Sequence, residues 1–149
     1  MRVWFDTEFI EDGKTIDLIS IGMIRGDGLT YYAHSAEYDV SKASQWVREN
    51  VLPHVTNIKP IPRAMIAADI VKFAGLKPEF WAYYADYDWV VLCQLYGTMM
   101  ELPKGWPMFC RDVKQLAVMK GNTKLPPQEI RGENHALHDS FWTKQSWEF

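Results

Sequence analysis

The chain opens on a run of strand-forming residues that carries two carboxylates near its end, VWFDTEF at residues 3–9. Aromatic and β-branched residues suit a pleated, half-buried surface, and in a strand the side chains at i and i+2 share a face. Asp6 and Glu8 therefore stand side by side, with Phe5, Thr7 and Phe9 on the opposite face. Adjacent carboxylates repel, and burying them is costly unless a positive charge sits between them. A divalent cation bound by hard oxygen ligands meets that need. For an isolated D-x-E the competing account is a strand end open to water with both carboxylates hydrated, so the rest of the chain has to decide.

A chain of 149 residues fits one domain, residues 1–149, with room for a real core. Its 48% hydrophobic and 14% aromatic content marks a globular rather than a disordered chain. No apolar run approaches the roughly 20 residues needed to span a bilayer, and no apolar signal region follows Arg2. The expectation is a soluble cytoplasmic protein with no membrane partner. Cys93 falls inside an apolar helical pattern and Cys110 near a strand end; without a metal-type C-x-x-C they are expected as reduced, mostly buried thiols.

The net charge of −3 argues against a nucleic-acid partner, which demands a basic surface. The charge is unevenly spread, however. Between residues 104 and 131, Lys104, Arg111, Lys114, Lys120, Lys124 and Arg131 face only Asp112 and Glu129, which makes this segment the candidate phosphate track. Two bound divalent cations would also carry the net charge from −3 to +1.

Residues 2–10, 15–24 and 29–35 read as three strands with short connections, which implies an antiparallel meander. A helix follows, with Ser41 as its N-cap and an end near Pro53, and then a second with Pro62 in its first turn and Gly75 as its stop. EFWAYYA at 79–85 reads as a strand and YDWVVLCQLYG at 87–97 as a helix. MFCRD reads as a short strand, VKQLAVMKG as a helix, KLPPQ as a loop, and residues 134–149 as a last helix. A meander followed by alternating strands and helices predicts an α/β fold of the RNase H-like pattern, a mixed sheet flanked by helices.

Asp88 lies just beyond the fourth strand and Asp139 in the last helix. If the fourth strand runs beside the first, Asp88 approaches Asp6 and Glu8, and the last helix brings Asp139 in from the side. Four carboxylates meeting at one point would hold two Mg2+ or Mn2+ ions, an arrangement suited to phosphodiester hydrolysis. Taken singly, Asp88 is also readable as a charge favoured at a helix N-terminus, and Asp139 as a solvated helix residue.

FDTEF, YADYD and HALHD resemble, in order, the three motifs of the DEDD superfamily of 3′-5′ exonucleases, in its DEDDh branch. Together with FDTEFIEDG, IDLISIGMI, VLPHV, DYDWVVLCQLYG and the terminal helix, they make the chain most similar to the adenylate-preferring 3′-5′ exoribonucleases of mycobacteria and phages, over nearly its whole length. The resemblance implies that Asp6, Glu8, Asp88 and Asp139 are metal ligands and that Thr7 and Phe9 meet the terminal nucleotide. It also implies that the partner is the 3′ end of single-stranded RNA, and relatives suggest a homodimer. Asp86 lacks the family's aromatic-Asp context and is expected at the surface or behind the ligands; Trp4 and the aromatics of 80–89 are expected in the core.

One position departs from the pattern. DEDDh members carry a histidine five residues before the last Asp, where this chain has Asn134, with His135 one residue later. A residue four before Asp139 shares its helix face, so His135 is the expected general base and His138 is not. The function expected is a metal-dependent 3′-5′ exoribonuclease. A catalytically weak RNA-binding module of the same fold, which Asn134 would favour, and a single-strand DNA 3′-5′ exonuclease stay open.

Overall fold

The computed structural model describes residues 1–128 and 134–149, so Glu129 and Arg131 of the charge-biased segment lie outside the described residues. Strands β1 (Arg2–Glu11), β2 (Ile16–Arg25) and β3 (Thr30–Ser35) form the expected antiparallel meander. A two-residue strand β4 (Pro60–Ile61), absent from the sequence reading, extends the β3 edge in parallel. On the other side β5 (Glu79–Ala82) runs parallel to β1, and β6 (Arg111–Asp112) parallel to β5. The order across the six-stranded sheet is β4-β3-β2-β1-β5-β6. The D-x-E strand is therefore central, which is why its residues are buried on both faces.

Among the described residues, five α-helices flank this mixed sheet: α1 (Gln45–Asn50), α2 (Arg63–Ala74), α3 (Ala85–Gln94), α4 (Val113–Met119) and α5 (Ala136–Glu148). One face carries Val3, Phe5, Ile21 and Met23 and is covered by Ile66, Ile70 and Ala74 of α2 and by Val91 and Leu92 of α3. The i, i+4, i+8 spacing of the α2 residues is the apolar stripe of a surface helix. On the other face Trp4, Ile24 and Trp81 pack with Val113 of α4 and Trp147 of α5. Both thiols are free, Cys93 buried and Cys110 half-buried. Among the described residues, no helix is long and apolar enough to cross a membrane.

Several boundaries move for local reasons. The first helix starts after Ser44, whose Oγ accepts the Val47 N–H at 3.2 Å. Ser41 is drawn instead into a 3-10 turn, where the Asp39 carboxylate takes its N–H and O–H at 2.9 and 2.6 Å. Strand β5 stops at Ala82 rather than 85 because the chain turns sharply through Tyr84, held in the left-handed region at φ 52°. One carboxylate organises that turn: Asp112 accepts the N–H groups of Tyr84 at 3.3 Å, Ala85 at 3.1 Å and Lys114 at 2.7 Å, serving the starts of α3 and α4 together. The strand expected from MFCRD shrinks to Arg111–Asp112. The last helix begins at Ala136, with Asn134 at φ 63° and His135 as N-cap.

Helix α5 lies unusually close to the sheet. Its buried residues are Ala136, Ser140, Thr143 and Ser146, none of them large. They face β2 at Gly22, where a Cβ would come within 2.3 Å of the Leu137 backbone. Gly22 is paired with Asp6, so this close approach sets the N-terminal turn of α5 directly over the carboxylate pair.

Candidate active site

Asp6 and Glu8 project from the central strand toward α5, and Asp139 points back from the first turn of that helix. Carboxylate oxygens of the three residues lie within 4.8 Å of one another. An extra residue on β2, Ile19, falls opposite the step from Glu8 to Phe9. Such a bulge twists a strand locally and re-aims the adjoining side chains.

Asp88 reaches the cluster from α3 and stands beside the trio. Along β1, strand β5 pairs with Arg2, Val3 and Trp4, so among the described residues β1 has no strand neighbour at Thr7 on that side. Asp88 Oδ1 takes the Thr7 N–H at 2.9 Å and its O–H at 2.5 Å. This bond ties α3 to the centre of β1 and leaves Asp88 just 6% exposed. Asp139 is also held: Asn134 N–H donates to its Oδ2 at 3.1 Å, and the Gln128 amide donates to its Oδ1.

The carboxylates press on one another. Burial, followed by the charges of Asp88, Glu8 and Asp139, holds Asp6 well above the usual carboxylate range. Burial and then the charges of Asp139 and Asp88 push Glu8 up to about 8. Asp88 rises to about 7 through burial, although both Thr7 hydrogen bonds pull the other way. Like charges in a shared, poorly solvated site hold protons in this way.

A cavity of about 430 Å³ opens on the four carboxylates. Thr7 and Phe9 line it, and so do Tyr83, Tyr84, Asp86 and Tyr87. No lysine or arginine does so among the described residues, so nothing there neutralises the acids. A set of hard, anionic oxygens converging without a basic side chain fits a divalent cation.

Trp4, Phe80 and Trp81 are in the core as expected. Tyr84 and Tyr87 correct that reading, being 62% and 48% exposed at the rim of the cavity. With α3 starting at Ala85, residues 85, 88, 91 and 92 face inward and Tyr87 falls off that face. The missed signal was the helix start. Tyr87 meets Phe9 edge-on at 5.9 Å, so the two rings form an aromatic wall. Gln128 lies in the KLPPQ loop, and nothing in its spacing marks it as a partner of Asp139.

His135 does not line this cavity. Its ring stacks on Tyr32 at 4.6 Å and on His138 at 4.1 Å, and its Nδ1 is buried without a hydrogen-bond partner among the described residues. Burial, with His138 and His54 nearby, lowers its pKa, which favours the neutral ring. Of the basic segment, Lys114 lies in the first turn of α4 beside the Tyr84 turn, while Arg111 lies over the Trp81 ring and 3.8 Å from Glu79.

Comparison with known proteins bears on this arrangement. A family model described as a 3′-5′ exoribonuclease Rv2179c-like domain matches residues 1–149. Two relatives from Mycobacterium tuberculosis are similar to the chain, 3′-5′ exoribonuclease Rv2179c of strain H37Rv and 3′-5′ exoribonuclease MT2234.1 of strain CDC 1551. Each is 42% identical over 151 residues, an alignment covering 94% of this chain and 87% of the relative.

Proposed function

The chain belongs to the Rv2179c-like family of 3′-5′ exoribonucleases, and from that premise we propose that it trims single-stranded RNA from the 3′ end at the Asp6, Glu8, Asp88 and Asp139 cluster, as a DEDDh enzyme of RNase H-like fold. The observation that carries the reading is the meeting of the Asp6, Glu8 and Asp139 carboxylates within 4.8 Å, in a cavity with no basic lining among the described residues.

Asp6, Glu8 and Asp139 would hold one Mg2+ or Mn2+, with Asp88 joining Asp6 to hold a second. Bound there, such ions supply an activated water and charge stabilisation of the leaving oxygen. The protein's own groups do the rest. Thr7 locks Asp88 in place while its neighbours on β1 face the phosphate. Phe9, Tyr84 and Tyr87 form the wall against which the terminal base lies, with an adenine as the proposed occupant, a purine offering more stacking area than a pyrimidine. His135, outside the cavity lining and kept neutral by its buried setting, would take the proton from the attacking water through one intervening water.

The test is a 5′-labelled RNA incubated with the protein and Mn2+ or Mg2+. Stepwise shortening that stops with chelator, resists a blocked 3′ end and falls at least a hundredfold in Asp6→Ala is expected. His135→Ala should lower turnover by about 10²- to 10⁴-fold while RNA affinity is kept, and His138→Ala should do little. Release of internal fragments, or full activity in Asp6→Ala, contradicts the reading.

A further inference from the structure

A second groove, of about 260 Å³, begins where the acidic cavity ends, because Glu8 and Phe9 line both. Its far wall is Trp46 and Val47 of α1. Trp46 is 56% exposed, whereas tryptophan is on average a highly buried residue. No ring contact involves it among the described residues. Yet the helix beneath it is firmly built. Ser44 caps it, Val47 packs on Ile10, Val51 and Val55, and the Asn50 amide donates to the Trp46 carbonyl at 2.9 Å.

We propose that Trp46 is a stacking platform for the nucleotide next to the 3′-terminal one, so that the RNA crosses from the cavity over Glu8 and Phe9 into this groove. The inference rests on the exoribonuclease reading above. With the terminal nucleoside against Phe9 and the Tyr84 and Tyr87 rings and the scissile phosphate over the carboxylates, the upstream strand must leave the cluster on the side away from Tyr84 and Tyr87. The groove that shares Glu8 is continuous with such an exit. Its chemistry selects a base rather than a phosphate, because it offers an uncharged indole face beside Glu11 and Glu8 and, among the described residues, no cation. A rigid, exposed ring loses little freedom on stacking and accepts any of the four bases. The site therefore adds affinity for a second nucleotide without adding sequence preference there.

The test compares equilibrium binding of adenosine 5′-monophosphate and of triadenylate, in calcium, to the wild-type protein, Trp46→Ala and Trp46→Phe. A loss of about tenfold in triadenylate affinity in Trp46→Ala is expected, within the range for one lost base stack. Monophosphate affinity should be unchanged, and Trp46→Phe should keep most of the triadenylate binding. Equal binding by Trp46→Ala and wild type overturns the proposal. So does an equal loss for both ligands, including one that accompanies a change of oligomeric state on gel filtration, which would give the groove to a second copy of the chain. Should the wild type show this discrimination and still leave RNA uncleaved, the stacking site stands and the hydrolase reading falls.

Discussion

Asp6, Glu8 and Asp88 hold their protons more tightly than ordinary carboxylates, and this has a measurable sign. With Glu8 near 8 and Asp88 near 7, the metal-free cluster carries protons at neutral pH that a cation has to displace. Manganese affinity should therefore rise as pH increases through 7 to 8 and level off above that window, with proton release on binding greatest at its lower end. Calorimetry in buffers of different ionisation enthalpy reads both quantities; an affinity flat from pH 6 to 8.5 would show that these groups do not bind the metal. The same raised values mean that the metal-free fold loses stability as pH rises from the ordinary carboxylate range near 4 to about 8, because the unfolded carboxylates there release protons that the native cluster still holds, and the loss levels off once the native groups ionise. At this scale the pairing of Asp6 with Glu8 was legible from strand alternation alone. The contact of Gln128 with Asp139 was not, because it joins a loop to a helix through no periodic pattern.

Among the elements, α5 brings Asp139 to the site, and its buried face was hard to read in the sequence. Its inward stripe of Ala136, Ser140, Thr143 and Ser146 gives no hydrophobic periodicity, so the sequence told of a helix without telling which face was buried. Its partner is Gly22, a residue that alternation marks as sheet-facing and that only the backbone approach of Leu137 explains. Gly22→Ala should push the first turn of α5 off the sheet, costing about 1–3 kcal/mol as overpacking does. Manganese affinity should fall more steeply than the urea midpoint, because Asp139 moves with the helix. If Gly22→Ala binds manganese like the wild type, the helix is not what positions Asp139. The order of strands and helices was legible because short connections and turn residues impose it. The end of β5 was missed because Asp112, far away in sequence, decides it by capturing the N–H groups of Tyr84 and Ala85.

For the whole molecule, the site draws one strand, one crossover helix and the last helix to a point, so its carboxylates span residues 6–139. Neither half of the chain alone contains it. Any ion that binds the assembled cluster and not the unfolded chain adds its binding free energy to folding, and also removes the repulsion that the sheet otherwise carries at its centre. The same ions would reverse the formal charge of −3 and let an acidic protein accept RNA. The proposed hydrolysis depends on the cluster being a cation site. The most direct measurement is anomalous diffraction from a crystal soaked in manganese. Two peaks are predicted, one among Asp6, Glu8 and Asp139 and one between Asp6 and Asp88. Manganese elsewhere on the surface with none at these carboxylates would contradict the account.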